Sequence, residues 1–235
     1  MSSIMSIAAT PSTTDILAWD VRSWNRALAF WEQQTDFTRL ERGLELGANR
    51  GGLSLWMASK GVNVLCTDLE HVEQNASPLH QRFGFQNRIQ YTNLDATALS
   101  FESEFDVIVF KSMLGALDRK GDGSTQANTL AAMHRALKPG GYLLFAENLV
   151  GSPLHRWLRK RWVSWGSSWR YPQLQEMEKW LQPFDEVHLH TTGVLATLGR
   201  SEAQRHALAR IDEWICNRIC PKSWHYIAYG VARKK

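Results

Sequence analysis

Leu44-Glu45-Leu46-Gly47-Ala48-Asn49-Arg50-Gly51-Gly52 decides the fold. A short apolar run, Gly43–Leu46, enters a glycine-rich turn, and a helix is expected to start near Gly51. Glycines at such a turn let the backbone approach a ligand closely, and a helix start presents N–H groups without intrahelical partners. Asp68 lies 21 residues beyond Gly47, at the end of the next apolar run, Val62–Thr67. From that position a carboxylate can accept hydrogen bonds from two ribose hydroxyls. Asp95 follows a third run, Ile89–Asn93, where it can meet an adenine amino group.

Outward from this loop the chain alternates between strand and helix patterns. Helices are expected over Leu53–Ser59, up to about Phe83, and over Thr125–Leu137. Phe105–Phe110 reads as a fully apolar strand once Asp106 is set aside. Tyr142–Ala146 is the next strand, entered through the turn Lys138-Pro139-Gly140-Gly141. Strands separated by helices mean crossover units and a mostly parallel sheet covered on both faces. Later come a helix near Gln173–Leu181, a strand near Val187–Thr192, a helix over Ser201–Ile219 and a last strand at Tyr226–Val231. Residues 1–14 are expected to be a flexible terminus and 15–235 a single domain. Its first part, 15–40, is read as a helical cover, and 149–172 as an insertion too long for an ordinary connection.

The loop fits neither common pyrophosphate motif. A dinucleotide fingerprint requires G-x-G-x-x-G, but Ala48 and Asn49 follow Gly47. A phosphate-binding loop ends Gly-Lys-Ser/Thr, and this one ends Gly51-Gly52-Leu53. The missing fingerprint counts against a nicotinamide oxidoreductase.

Glu45-x-Gly47-x-x-x-Gly51 resembles motif I of the class I S-adenosylmethionine-dependent methyltransferases. The resemblance extends over residues 41–150 through Asp68, Asp95-Ala96, Phe105–Phe110 and Leu137–Leu144. It implies a three-layer, Rossmann-like α/β fold whose mostly parallel seven-stranded sheet has an antiparallel last strand. It implies S-adenosylmethionine as cofactor and S-adenosylhomocysteine as product. The loop would border the methionine moiety, and Glu45 would help to hold its amino end. The implied cofactor-binding set is Glu45, Gly47, Asn49, Gly51, Asp68, Leu69, Asp95, Ala96 and Lys111. The stretches Trp24–Glu32, Phe110–Ser112, Ala146–Arg156 and Ser223–Ile227 resemble a bacterial subgroup associated with surface-polysaccharide or secondary-metabolite biosynthesis. The implied activity is methyl transfer to oxygen or nitrogen of a small molecule, such as a sugar or secondary metabolite. The rival is a non-catalytic adenosyl-ligand-binding module or assembly partner with the same fold.

Methyl transfer from a sulfonium is an in-line displacement, in which positioning supplies much of the acceleration. A hydroxyl acceptor also benefits from a general base. The acceptor is expected beyond the strand ends near the switch point of the sheet. Candidates for catalysis are Lys111, Glu147 and His155. Lys111 can equally be a strand-end lysine reaching water, Glu147 a helix cap, and His155 an exposed loop residue. Ser112, Asn148, Arg156, Trp157 and Trp169 are the expected acceptor contacts. Where metal-dependent relatives carry acidic ligands after the fourth strand stands Lys111-Ser112, so no metal is expected.

Composition narrows the partners. The 235 residues carry 27 Lys+Arg and 23 Asp+Glu, a net +4, with 44% hydrophobic residues. This is a globular balance. Trp157, Trp162, Trp165 and Trp169 stand among Arg156, Arg159, Lys160, Arg161 and Arg170, and no acid occurs between Glu147 and Glu176. Without those five bases the rest of the chain is slightly acidic, so nucleic acid is not an expected partner. The segment 156–170 admits three roles: a lid over an anionic or glycosylated acceptor, a peripheral contact with an anionic membrane, or a structural cover with its bases in solvent. Three cysteines form no disulfide framework, and Cys216 and Cys220 are read as core residues rather than metal ligands. With no leader-like start and no long apolar run, a cytoplasmic location is expected. Oligomeric state is not legible.

Overall fold

The computed structural model describes residues 10–117, 121–162 and 169–235, the side chains of 158–162 excepted. Seven strands form one sheet: β1 (Arg42–Leu46), β2 (Asn63–Asp68), β3 (Ile89–Asn93), β4 (Phe105–Lys111), β5 (Leu137–Asn148), β6 (Glu186–Thr192) and β7 (Ile227–Arg233). Their order is β3-β2-β1-β4-β5-β7-β6. The first five are parallel, and β7 runs antiparallel between β5 and β6. The expected mostly parallel sheet with an antiparallel last strand is the one observed.

The apolar run of β4 reflects its central place. Phe105 and Val107–Phe110 have no exposed surface, because helices cover both faces. Val107 and Val109 join Val64, Cys66, Leu144 and Ala146 in one core. Ile108 and Phe110 join Leu44, Leu46, Leu143 and Phe145 in the other, as the two-residue strand period requires. The first core is closed by α1 (Thr13–Leu17), α2 (Val21–Gln34), α3 (Gly52–Ser59) and α4 (Val72–Arg82). The second is closed by α5 (Leu114–Leu117), α6 (Ser124–Ala136) and, beyond α7 (Pro153–Trp162), α8 (Leu174–Trp180).

Asp106, the polar interruption of β4, has a structural partner set. Its carboxylate accepts the N–H groups of Glu41 and Arg42 at 3.1 and 2.8 Å and the Lys138 ammonium at 2.9 Å. These bonds fasten the start of β1 to β4.

Three expectations change. Ser12 and Asp15 form a reciprocal capping box, so the N-terminal helix begins at Thr13 rather than beyond a flexible stretch reaching residue 14. Residues 1–9 lie outside the described residues. The Lys138-Pro139-Gly140-Gly141 turn does not precede β5 but sits within it. Leu137 pairs with Phe105 and Tyr142 with Val107, so the extra residues bulge out of the ladder, and Gly140 N–H donates to Lys234. The single helix expected over 201–219 is α9 (Glu202–Ile211), a π-helical turn (Asp212–Cys216) and α10 (Asn217–Ile219). At that turn Asp212 is buried and accepts the N–H groups of Leu195 and Ala196.

The insertion is closed at its base, where Val150 N–H donates to Pro172 O at 3.0 Å. Arg170 holds its return limb through Glu176 at 2.5 Å and the carbonyls of Gly121 and Asp122. Arg159, Lys160, Arg161, Trp162 and Trp165 of the insertion lie outside the described side chains.

Asp106→Ala is expected to lower the unfolding free energy by about 1–2 kcal/mol near neutral pH. Its partners, Lys138 and the two N–H groups, outweigh burial and hold the carboxyl below the ordinary 3.8. Its contribution is therefore present above that pH and lost as pH falls through the native pKa. Urea unfolding midpoints of the two proteins should converge in acid.

Candidate functional site

β1 and β4 are adjacent, and the chain leaves them toward opposite sides of the sheet, which opens a crevice at their C-terminal ends. A cavity of about 260 Å³ occupies it. Its floor is the loop after β1: Glu45, Gly47, Ala48, Asn49, Arg50, Gly52 and Leu53. Lys111 and Ser112 enter from β4, Asp15–Trp19 from the N-terminal cap, and Trp169 from the insertion.

The loop takes its shape from local constraints. Gly47 has φ +65°, and a Cβ there would fall 2.8 Å from Met113 Cγ. Gly51, at φ +71°, starts α3 in the left-handed region, where glycine carries no steric penalty. Its carbonyl is 2.8 Å from His80 Nε2. Glu45 Oε2 accepts the Ser54 N–H at 2.7 Å, so the carboxylate caps α3 while bordering the cavity. Burial pushes the Glu45 carboxyl up to about 7, against the pull of hydrogen bonds from Ser54 and Leu53.

Asp68 ends β2 beside this loop. One oxygen accepts the Asn49 N–H and the other the Leu69 N–H, both at 2.7 Å. Each carboxylate oxygen keeps a second lone pair. Just beyond β3, Asp95 Oδ1 accepts the Thr97 N–H and hydroxyl, and Ala96 is buried. Asp68, Leu69, Asp95 and Ala96 therefore share the strand-end edge with the cavity but do not line it. Gly51 lies just behind its floor.

Lys111 is enclosed at the end of β4. Its ammonium lies 4.9 Å from the ring centres of both Trp19 and Trp24. Burial lowers its pKa to about 8, while Glu45, Glu147 and Asp20 oppose the shift. Asp20, buried with φ +46°, accepts the Tyr226 hydroxyl at 2.5 Å, and burial raises its carboxyl to about 6. Ala18 also has positive φ, so two non-glycine residues in a costly conformation flank Trp19.

Two expected catalytic residues are engaged by backbone groups. Glu147 has no exposed surface. Its Oε2 accepts the N–H groups of Met113 and Leu114 at 2.8 and 2.7 Å, and Oε1 accepts its neighbour Asn148 at 2.8 Å. The carboxylate is thus a cap for α5, with no access to the cavity. His155 is 2% exposed; its Nδ1 accepts the Ser152 N–H and its Nε2 donates to Val194 O at 2.6 Å. It ties α7 to the chain after β6 and stands away from the crevice.

The expected acceptor contacts divide. Ser112 and Trp169 line the cavity, whereas Asn148 lies behind, donating to Ser112 Oγ at 2.5 Å. Arg156 is exposed outside it, as is Trp157 at 58%. Gly115 makes room for Trp169, since a Cβ there would fall 1.8 Å from the indole nitrogen. That Nε1 is buried without a hydrogen-bond partner among the described residues.

Sequence reasoning missed Trp19 as a cavity residue. It falls within the expected helical cover, 15–40, yet it occupies the turn between α1 and α2.

A family model described as a methyltransferase domain matches residues 20–192. No curated protein matches the chain. Among solved structures, it is similar to phosphoethanolamine N-methyltransferase 2 of Haemonchus contortus in complex with S-adenosyl-L-methionine (19% identity, TM-score 0.63, 95% of this chain and 57% of that one). It is similar also to a possible histamine N-methyltransferase of Thermotoga maritima (16%, 0.61, 92% and 91%) and a putative methyltransferase of Bacillus halodurans (16%, 0.60, 88% and 98%). The chain spans little more than half the length of the Haemonchus proteins. At such identities the likeness concerns the fold.

Glu147→Ala is expected to cost about 3 kcal/mol of stability, because three N–H groups lose a buried acceptor. Asp95→Ala, at an exposed position, should cost less than about 1 kcal/mol. Denaturant unfolding of both variants measures the contrast.

Proposed function

The chain belongs to the methyltransferase-domain family, and from that premise we propose that it transfers a methyl group from S-adenosylmethionine to oxygen or nitrogen of a small-molecule acceptor. The observation that carries this reading is charge placement. Glu45 and Lys111, opposite in sign, border one cavity, and Asp68 stands at the next strand end. An acid for an amino group, a cation for a carboxylate and an acid for a ribose diol complement the two ends of this cofactor.

The residues present fit the cofactor. Glycine in the left-handed region at 47 lets the loop turn tightly against Met113, and Trp169 Nε1 is a buried donor without an acceptor among the described residues. Glu45, Gly47 and Asn49 would hold the methionine end, with Lys111 at its carboxylate. Asp68 would accept the ribose hydroxyls, and Leu69, Asp95 and Ala96 would border adenine. When bound, the sulfonium supplies the methyl group.

The chain's own contribution is positioning and exclusion of water. Trp19 and Trp169 approach the cavity from two separate segments. With Glu147 and His155 committed to backbone groups, neither is free to take a proton from the acceptor. This favours acceptors whose nucleophile is already unprotonated, such as a neutral amine, which need positioning only. Ser112 and Trp169 would contact the acceptor, and sugars or secondary metabolites with such a group are the expected class.

The direct test incubates the protein with S-adenosylmethionine and candidate metabolite pools and follows a methyl-sized mass gain. Cofactor binding without product in any pool would favour a non-catalytic binding module. Asp68→Ala should weaken S-adenosylmethionine binding by about 1–3 kcal/mol in calorimetry, and unchanged affinity in a folded variant overturns the ribose assignment. Binding should also weaken as pH rises through about 8, where Lys111 loses its charge. Lys111→Arg, which stays charged, should flatten that profile.

A further inference from the structure

The most exposed apolar side chains of the protein include a group far along the chain from the cavity loop. Ile211, Trp214, Ile215 and Ile219 are 43%, 68%, 51% and 73% exposed. They stand out along the helical run from α9 to α10, whose buried positions are Ala209, Asp212 and Cys216. Arg210, Arg218 and Lys222 are exposed on the same stretch, and the Arg218 guanidinium lies 6.0 Å from the Trp214 ring centre. The two acids of this stretch turn inward. Asp212 is buried on the N–H groups of Leu195 and Ala196, and Glu213 pairs with Arg22 of α2.

We propose that this face docks the protein onto an anionic lipid bilayer. The isoleucines offer apolar surface to the acyl boundary, the Trp214 indole suits the headgroup level, and the three cations meet the negative surface. Charge decides against a second copy of the chain, because an isologous contact would bring two sets of Arg210, Arg218 and Lys222 together without an acid between them. The face lies on a different stretch of the chain from the Trp/Arg segment 156–170. It is also fastened to the cavity cap: Glu202 of α9 accepts the N–H groups of Asp20 and Val21, next to Trp19. Docking requires no methyl transfer, so it stands whatever reaction the cavity supports.

The test is co-sedimentation of the full chain with vesicles of phosphatidylcholine alone or with phosphatidylglycerol added. Binding is expected only to the anionic vesicles, with Trp214→Ser/Ile219→Ser weakening it about tenfold or more. Arg218→Glu/Lys222→Glu should do the same, and added salt should weaken the wild type. Unchanged thermal unfolding midpoints establish that the variants are folded. If the first pair fails to fold, the charge-reversal pair decides. Absence of binding, or equal binding by wild type and variants, overturns the proposal. So does loss through Arg156→Ser/Trp157→Ser alone, which transfers docking to the insertion. Lipid-free dimerisation abolished by Trp214→Ser also overturns it, since the face would then cover a second copy.

Discussion

The charge of Lys111 is the constraint around which the crevice is arranged. An ammonium taken out of water costs several kcal/mol unless opposite charge surrounds it. Here the compensation comes from three segments: Glu45 at the end of β1, Glu147 at the end of β5 and Asp20 in the turn before α2. The faces of Trp19 and Trp24 cover it on the side of the N-terminal cap, and its remaining side borders the cavity. The cation therefore joins the sheet to its N-terminal cap, and the cap completes the cavity wall.

This arrangement spends side chains that look available for chemistry. Glu147 and His155 are titratable groups near strand or insertion ends, the places where this architecture puts reacting residues. Both are consumed by backbone N–H or carbonyl groups left over where an element begins or the chain turns. An unpaired buried N–H is costly enough that a nearby acceptor is retained for it. A cavity bordered by Glu45, Lys111 and two tryptophans is the result.

The outer face of α9 and α10 follows the same economy of acids. Asp212 and Glu213 are drawn inward to satisfy N–H groups and Arg22, which leaves an outer surface of isoleucine, tryptophan and bases. Its unusual character arises from what the interior demanded as much as from its own composition.

Residue order alone made the sheet legible. Apolar runs with a two-residue period, glycines at 47 and 51, and acids closing the runs are local signals, and local signals survive without knowledge of neighbours. The same signals located Glu45, Asn49, Asp68 and Lys111 around one edge. What could not be read was which polar groups remain free, because that depends on partners far away in the chain: Glu147 on Met113 and Leu114, His155 on Val194, Lys111 on Asp20. Trp19 was illegible for a related reason, its place in a turn being set by the strained backbone at Ala18 and Asp20 rather than by apolar spacing. The sequence by itself determined the order and kind of the elements and the edge where a ligand can sit. Only the tertiary structure decided which side chains border the cavity, since burial and hydrogen-bond satisfaction are settled between segments and not within them.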